Sequence, residues 1–265
     1  KGSAGRKIHL EVIAAPKTPS GAILVLQDQS SKHLMLEMRQ NFIANASHEL
    51  KTPLTVIRGF AETLKDNPDL PQEVLVEVTG KIVNNCKKMT SLIRDLLTLS
   101  DIENMTESNL IECDIEDLLN TCREQILEAH PTAIIKIENP AAEPIFCTAD
   151  PRLLAMAFNN LLENAIKYSK EPAEVTVKMG QQDDLLTVAI SDKGIGIPHS
   201  DLENIFQRFY SVDRAHSQKL GGSGLGLSIV ETVIEKHFGR ISVESEVGKG
   251  STFTIVLPTQ MEKML

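Results

Sequence analysis

The sequence has few cysteines, and those it has lie far apart. Cys86, Cys113, Cys122 and Cys147 lack the Cys-x-x-Cys spacing that is typical of zinc and redox sites. We therefore interpret all four as reduced core residues of a cytosolic protein.

An excess of basic residues is also absent. The chain carries 27 lysines and arginines against 36 aspartates and glutamates, for a net charge of −9. Because no basic field is available, we expect no nucleic-acid binding and no membrane contact by this fragment. A local site for a phosphorylated small molecule stays open, since helix ends and glycine loops bind phosphate without net positive charge.

Long apolar runs are missing as well. No stretch approaches the roughly 20 apolar residues that span a bilayer, and no signal peptide opens the sequence. The sequence begins abruptly in a strand-like piece, which suggests a fragment of a longer protein.

The chain has 265 residues, of which 42% are hydrophobic, and this suits about two compact units. Before them, Lys7–Ala14 and Ala22–Asp28 read as strands around a turn rich in proline and glycine. Two strands cannot close a core alone. We predict that residues 1–30 are the C-terminal remnant of a sensory, PAS-like domain; the alternative is a small terminal hairpin.

Residues 31–108 have the pattern of two long amphipathic helices. The first is predicted over Ser31–Lys65 and the second ends near Ile102, with a break at Asn67–Pro71. The apolar positions are Met38, Phe42, Ala46, Leu50, Leu54, Ile57, Phe60 and Leu64, then Val78, Ile82, Met89, Ile93 and Leu96. Two helices alone cannot bury both stripes, so we expect an antiparallel hairpin that dimerises into a four-helix bundle. Packing against the rest of the same chain is the alternative.

Residues 109–265 mix helices and strands, which indicates an α+β domain. The clearest predicted strands are Glu174–Met179, Leu185–Ser191, Arg240–Ser245 and Ser251–Leu257.

His48 is the first candidate for chemistry. At about 100° per residue it lies about 200° around the helix from the centre of the apolar series, so it is not placed to fill a core. Glu49 can reach the imidazole and take a proton as the other nitrogen attacks phosphorus, and Thr52 lies one turn along. Plain solvated helix face is the alternative for Glu49 and Thr52.

A second group lies on a helix that Asp150 caps and Pro151 begins. Asn160, Asn164, Lys167 and Tyr168 fall on one side of it. An amide oxygen suits Mg²⁺ beside nucleotide phosphates, a lysine can meet phosphates, and a tyrosine ring can stack on a base. The alternative is an ordinary polar face.

The predicted strand Leu185–Ser191 is followed by Asp192, Gly194 and Gly196. A carboxylate at a strand end can accept a hydrogen bond from the adenine amine, and glycines let backbone approach the base. A turn with two glycines is common, so an ordinary turn is the alternative.

Gly222, Gly224, Leu225 and Gly226 precede a predicted helix, Ser228–Lys236. Such glycines allow a nest of amides that holds phosphate at a helix N-terminus. No strand precedes them directly, which disfavours a dinucleotide-binding fold.

A long segment separates the two glycine motifs, and long loops of this kind are often lids. It contains Ile205–Tyr210, and its cations available to phosphate are Arg208, Arg214 and Lys219.

In this order the segments resemble the sensor histidine kinases of bacterial two-component systems. The match runs over about residues 31–258: His48 lies in the H box, Asn160–Tyr168 in the N box, Asp192–Gly196 in the G1 box, Ile205–Tyr210 in the F box and Gly222–Gly226 in the G2 box. Within the family the pattern is similar to the group that includes the phosphate-responsive sensors.

The resemblance implies a dimeric helical hairpin that carries a phospho-accepting His48, joined to an α/β sandwich that binds ATP and Mg²⁺. It also implies that Asn164 is the Mg²⁺ ligand, Asp192 the adenine reader and Thr52 a phosphatase residue. The phosphoryl group would pass to an aspartate in the receiver domain of a response regulator. We expect a cytoplasmic catalytic portion; anchoring of the parent protein in the cell membrane stays open.

One position departs from the family pattern. Many members have arginine after the Phe-Tyr pair, where this chain has Ser211. Arg214 or Lys219 is then the substitute lid cation.

Two other classes remain as alternatives to a kinase. A chaperone-type ATPase would need no exposed histidine opposite an apolar stripe. A non-catalytic adaptor that binds nucleotide only to change shape would not need the site residues of all five motifs.

Overall fold

The computed structural model describes residues 8–16, 22–103, 109–141, 143–213 and 222–260. They belong to two compact units, which divide the chain between Ile82 and Val83. Among the described helices, none is both long and apolar enough to cross a bilayer.

The first unit begins with an antiparallel strand pair, β1 (Leu10–Pro16) and β2 (Ala22–Asp28), in which Leu10 lies opposite Asp28. The predicted bounds of β2 are confirmed, whereas β1 starts and ends a few residues later than predicted. Exposed apolar side chains occur along both strands, among them Val12 and Leu26. The pair buries little surface of its own, as expected for two strands without further partners.

Two long helices follow. Helix α1 covers Ser30–Asp66 and α2 covers Gln72–Glu103, close to the predicted bounds. On α1 most of the predicted apolar series is half-buried, whereas Met38 and Leu54 stay exposed. The hairpin prediction is confirmed, and its apolar stripe is not fully covered within one chain.

The second half of α2 has a buried face that the sequence pattern did not predict. Leu92, Leu99 and Ile102 recur at helical spacing and are fully or almost fully buried, and Val83–Glu103 belongs to the second unit. The predicted positions Met89, Ile93 and Leu96 on the adjoining face are only half-buried or exposed. This second face of α2 is therefore covered within the chain, whereas the predicted apolar stripe is not fully covered.

The second unit is built on a five-stranded mixed sheet in the order β4-β6-β7-β9-β8. Its strands are β4 (Ile134–Glu138), β6 (Glu174–Gln182), β7 (Leu185–Asp192), β8 (Arg240–Glu246) and β9 (Gly250–Pro258). Only β4 and β6 run parallel. The four predicted strands are confirmed. A separate antiparallel pair is formed by β3 (Ile111–Asp114) and β5 (Phe146–Ala149), which precede and follow β4 in the chain.

Three helices cover one face of that sheet: α3 (Ile115–Ala129), α4 (Pro151–Lys167) and α5 (Gly226–Lys236). Alternate side chains of the central strands, such as Val188 and Ile255, are buried on this face with Phe158 of α4. The result is a two-layer α/β sandwich, with a half-exposed opposite face.

Helix capping sets where two of these helices start. The Asp114 and Asp150 carboxylates each accept hydrogen bonds from two amides in the first turn of α3 and α4. Pro151 occupies the first position of α4, as predicted.

The cysteine prediction is confirmed for three residues and wrong for one. Cys113, Cys122 and Cys147 are buried free thiols, and burial raises the pKa of Cys122 and of Cys147 to about 11. Cys86 is exposed on α2 and is not a core residue.

Candidate active site

His48 is exposed on α1. Its side chain is 79% exposed, whereas Pro53, five residues on, is buried. This agrees with the position opposite the apolar stripe. The Glu49 carboxylate lies on the Nδ1 side of the ring, with 3.9 Å between His48 Nδ1 and Glu49 Oε1.

Thr52 lies one turn beyond His48. Its hydroxyl donates a hydrogen bond to the His48 carbonyl, at 3.2 Å, and the side chain is exposed. The Thr52 oxygen keeps its lone pairs toward solvent, so it can still accept a hydrogen bond from water.

On α4, the predicted polar side chains differ in what they contact. Asn160 Nδ2 donates to the Met156 carbonyl at 3.0 Å, and a Cβ at Gly226 would lie 2.8 Å from Asn160 Oδ1. The side chain of Lys167 lies against Tyr168, with 5.3 Å from Nζ to the ring centroid. Asn164 is half-buried, and no described residue hydrogen-bonds to its amide.

Asp192 ends β7 with one carboxylate oxygen occupied. Oδ1 accepts from the Gly194 amide at 2.7 Å and from the Ser251 amide at 3.2 Å. Burial raises the pKa of the Asp192 carboxyl, and these two hydrogen bonds oppose that effect. Within the described chain Oδ2 has no protein donor, so it is the oxygen that can meet a ligand.

Gly194 and Gly196 bring backbone close to Asp192 and to α4. A Cβ at Gly194 would lie 2.6 Å from both Asp192 Oδ1 and the Tyr168 carbonyl, and that carbonyl accepts from the Ile195 amide at 3.0 Å. Gly196 has φ +70° and a Cβ there would lie 2.1 Å from the Glu246 carbonyl. The end of α4 and the loop after β7 are thus in direct contact at the candidate site.

Gly222, Gly224, Leu225 and Gly226 lead into α5, which begins at Gly226, two residues before its predicted start. Gly224 has φ +71°, and a Cβ there would lie 2.8 Å from the Phe209 backbone. The Phe209 amide donates to the Gly224 carbonyl at 2.8 Å. Leu225 is fully buried below the loop.

The structure therefore brings four of the predicted motifs together in the second unit. Asn160 lies beside Gly226 and Tyr168 beside Gly194, and the Phe209 amide donates to the Gly224 carbonyl. Arg208 is exposed and Ser211 is half-buried. Arg214 and Lys219, the predicted lid cations, lie outside the described residues, so which of them replaces the missing arginine stays a prediction.

Two contacts at this site were missed from the sequence. One is the Ser251 amide on Asp192, which the Gly-x-Gly-Ser start of β9 could have suggested. The other joins Ser223 to Asp95 of α2 by a 2.7 Å hydrogen bond from Ser223 Oγ to Asp95 Oδ2. No sequence signal marks it, because 128 residues separate the partners.

The described residues contain no cluster of three or more His, Cys, Asp or Glu side chains that could hold a metal ion alone. Asn164 offers a neutral side-chain amide oxygen that has no hydrogen-bond partner among the described residues. This fits an Mg²⁺ ion that is charge-balanced by nucleotide phosphates, and not one held by a cage of carboxylates.

The sandwich has a carboxylate and glycine loops along one helix, and the hairpin carries an exposed histidine. This is the two-part architecture of a histidine kinase. Residues 149–261 match the family of histidine kinase-, DNA gyrase B- and HSP90-like ATPases, and residues 38–104 match the His kinase A phospho-acceptor domain. The chain belongs to the sensor histidine kinases of bacterial two-component systems.

The sequence is similar to curated sensor kinases named WalK. It is 35% identical over 247 residues to one from Staphylococcus aureus, which covers 91% of this chain and 59% of that protein. It is 32% identical over 246 residues to one from Bacillus subtilis, covering 92% of this chain and 40% of that protein. The chain thus spans about half the length of these relatives.

A solved structure shows the same fold over almost the whole chain. The histidine kinase ThkA, solved in complex with response regulator protein TrrA, has a TM-score of 0.62 at 19% identity and covers 99% of this chain and 78% of its own.

Proposed function

We propose that this chain is the catalytic core of a sensor histidine kinase, which transfers the γ-phosphate of ATP to His48. The observation that carries this is the 79% exposure of His48 on a helix that turns its apolar residues away from it. A histidine in that position has no packing role, and it occurs in a chain with a nucleotide-binding sandwich.

Glu49 orients the histidine for attack. Its carboxylate faces Nδ1, so it favours the tautomer with the proton on Nδ1 and leaves the Nε2 lone pair for phosphorus. As the Nε2–P bond forms and the bond to the ADP oxygen breaks, Glu49 stabilises the positive ring and accepts the Nδ1 proton.

Asp192 and the glycines hold the nucleotide. Asp192 Oδ2 accepts a hydrogen bond from the exocyclic amine of adenine, which guanine lacks. Gly222, Gly224 and Gly226 present amides to phosphate at the start of α5. The other proposed nucleotide contacts are Asn160, Lys167, Tyr168 and a lid cation, for which Arg214 and Lys219 are the candidates. Mg²⁺, held by Asn164 and the ATP phosphates, would neutralise charge on the transferring group.

A response regulator is the proposed acceptor of the phosphoryl group from His48. ThkA, a kinase of the same fold, was solved in complex with response regulator protein TrrA. We further propose that Thr52 accepts a hydrogen bond from the water that hydrolyses the phosphorylated regulator, which gives the reverse activity.

The homodimer is proposed through α1 and α2. The half-buried series on α1, including Leu50, Ile57 and Leu64, needs a second hairpin to be covered.

The proposed domains are residues 1–30 for the sensory remnant, 31–108 for the phosphotransfer hairpin and 109–265 for the ATP-binding domain. The proposed location is the cytoplasm, with any membrane anchor in the rest of the parent protein.

Incubation with γ-labelled ATP and Mg²⁺ tests the kinase activity. The label should appear on the protein, resist alkali, be lost in acid, and be absent from His48→Gln. His33→Gln is the matched control, since His33 is another exposed histidine on α1 and should leave labelling unchanged. ATP turnover without label would instead support the chaperone-type ATPase.

A further inference from the structure

Asp95 contacts the glycine loop from a buried face of α2. It shares that face with Leu92, Leu99 and Ile102, and its Oδ2 accepts a hydrogen bond from Ser223 Oγ at 2.7 Å. Burial raises the pKa of the Asp95 carboxyl, while the Ser223 hydrogen bond and the charge of Arg94 lower it.

Ser223 lies between Gly222 and Gly224 and uses its hydroxyl in two directions. Oγ accepts a hydrogen bond from the Leu225 amide, at 3.2 Å, and donates its proton to Asp95. A hydroxyl has one proton to donate. Ser223 therefore cannot donate to Asp95 and to a phosphate oxygen at the same time.

The charge of Asp95 acts in the same direction. The loop of Gly222–Gly226 is the proposed phosphate site, and a carboxylate that is hydrogen-bonded to Ser223 of this loop is an anion beside that site. The negative charges of Asp95 and of a phosphate bound at this loop would repel each other, and the repulsion is stronger where water is partly excluded.

We propose that Asp95 is an internal competitor of the ATP phosphates: it occupies the Ser223 hydroxyl and places negative charge at the loop, so that docking of this face of α2 and binding of ATP oppose each other. The inference rests on the proposed ATP site. Coupling is reciprocal, so a phosphate of ATP that accepts the hydrogen bond from Ser223 also weakens the contact between the loop and α2. A change in α2 could in this way be transmitted to nucleotide affinity.

Affinity for a non-hydrolysable ATP analogue with Mg²⁺ tests the competition, measured by calorimetry on the whole chain. Asp95→Ala should bind about five- to tenfold more tightly, at the low end of the usual range for coupled sites. Asp95→Asn should also bind more tightly, since it removes the charge but keeps the shape. Asp101→Asn is the control, because Asp101 is exposed on the same helix.

Two further arms identify the cause. In a Ser223→Ala background, Asp95→Ala should lose the part of its effect that depends on the hydroxyl. Adenosine, which has no phosphate, should bind Asp95→Asn and the unsubstituted protein equally.

Unchanged or weaker affinity for the ATP analogue in both Asp95 variants overturns the inference. The inference is also overturned if Asp95→Asn gains as much affinity for adenosine as it gains for the ATP analogue. If the unsubstituted protein binds no ATP analogue at all, both the proposed function and this inference fail. Equal affinities in all variants overturn the inference alone.

Discussion

Hydrogen bonds fix the orientation of the Asp192 carboxylate. The amides of Gly194 and Ser251 both donate to Oδ1, so rotation of the carboxylate would break two hydrogen bonds. Oδ2 has no donor among the described residues. At the scale of single residues, this geometry supports the role proposed for Asp192, recognition of the base by one carboxylate.

Asp192→Asn tests this selection. The amide oxygen can replace Oδ1, which places the NH₂ group against the adenine amine, donor to donor. We expect ATP affinity to fall about tenfold or more, equivalent to roughly 1.4 kcal/mol, in a titration of binding. Asp184→Asn, at the other end of β7 and exposed, should bind ATP normally. Full affinity in Asp192→Asn would remove Asp192 from base recognition.

Gly194→Ala tests the close approach of backbone to that carboxylate. The added Cβ would lie 2.6 Å from Asp192 Oδ1 and from the Tyr168 carbonyl, so one of them must move. We expect ATP affinity to fall by about tenfold while circular dichroism shows a folded protein. The control is Gly180→Ala in β6, where a Cβ meets nothing within 4 Å. Equal binding by the two variants would show that the contact is unimportant.

Only some of these residues could be predicted from the sequence. The position of His48 follows from helical period alone, and Asp192 could be placed because it directly follows a strand. The Oδ1 bond from Ser251 and the Asp95–Ser223 bond depend on strand register and tertiary packing, which local patterns do not encode.

At the scale of elements, His237 ties the C-terminal end of α5 to the start of α4. Its Nε2 accepts from the Asp150 amide at 3.0 Å, and Nδ1 is 2.7 Å from the Val233 carbonyl, so the ring is neutral with its proton on Nδ1. Burial lowers the pKa of His237 below its ordinary 6.5, against raising effects from Val233 and Asp150.

Acid should therefore weaken the α/β sandwich through His237. The unfolded chain binds a proton near pH 6.5 and the folded site does so only at lower pH, so stability is full above about pH 6.5 and falls as pH drops below it. Thermal unfolding at pH 7.5 and pH 5.5 should show a smaller loss in His237→Gln, which cannot titrate, than in the unsubstituted protein. His130→Gln, an exposed histidine at the end of α3, should keep the full loss. An equal loss in all three proteins would exclude His237 as the cause.

Elements with strong periodicity or clear caps were predictable. Helices α1, α2 and α4 and the strands β2, β6, β7, β8 and β9 agree with the sequence pattern within a few residues. The buried face of α2 was not, because Leu92, Leu99 and Ile102 lie beside a second apolar series and only tertiary contact shows which face is covered. The parallel pairing of β4 with β6 has no local signal either.

At the scale of the whole molecule, the apolar stripe of α1, which is only partly covered within one chain, predicts a dimer. Ile57→Arg places a charge on that stripe and should convert the dimer to monomer in sedimentation equilibrium. Thr55→Arg makes the same change on the exposed side and should remain dimeric. A monomeric unsubstituted protein, or a dimeric Ile57→Arg, would argue against the four-helix bundle.

The order of the five motifs along the chain predicted the class of protein, because each motif alone is common and their succession is not.

The site of phosphorylation tests the central claim most directly. After brief incubation with ATP and Mg²⁺, digestion and tandem mass spectrometry at alkaline pH should locate the phosphate on His48, and His48→Gln should carry none. A phosphate on another residue, or an unmodified His48 in protein that binds and turns over ATP, would contradict the account.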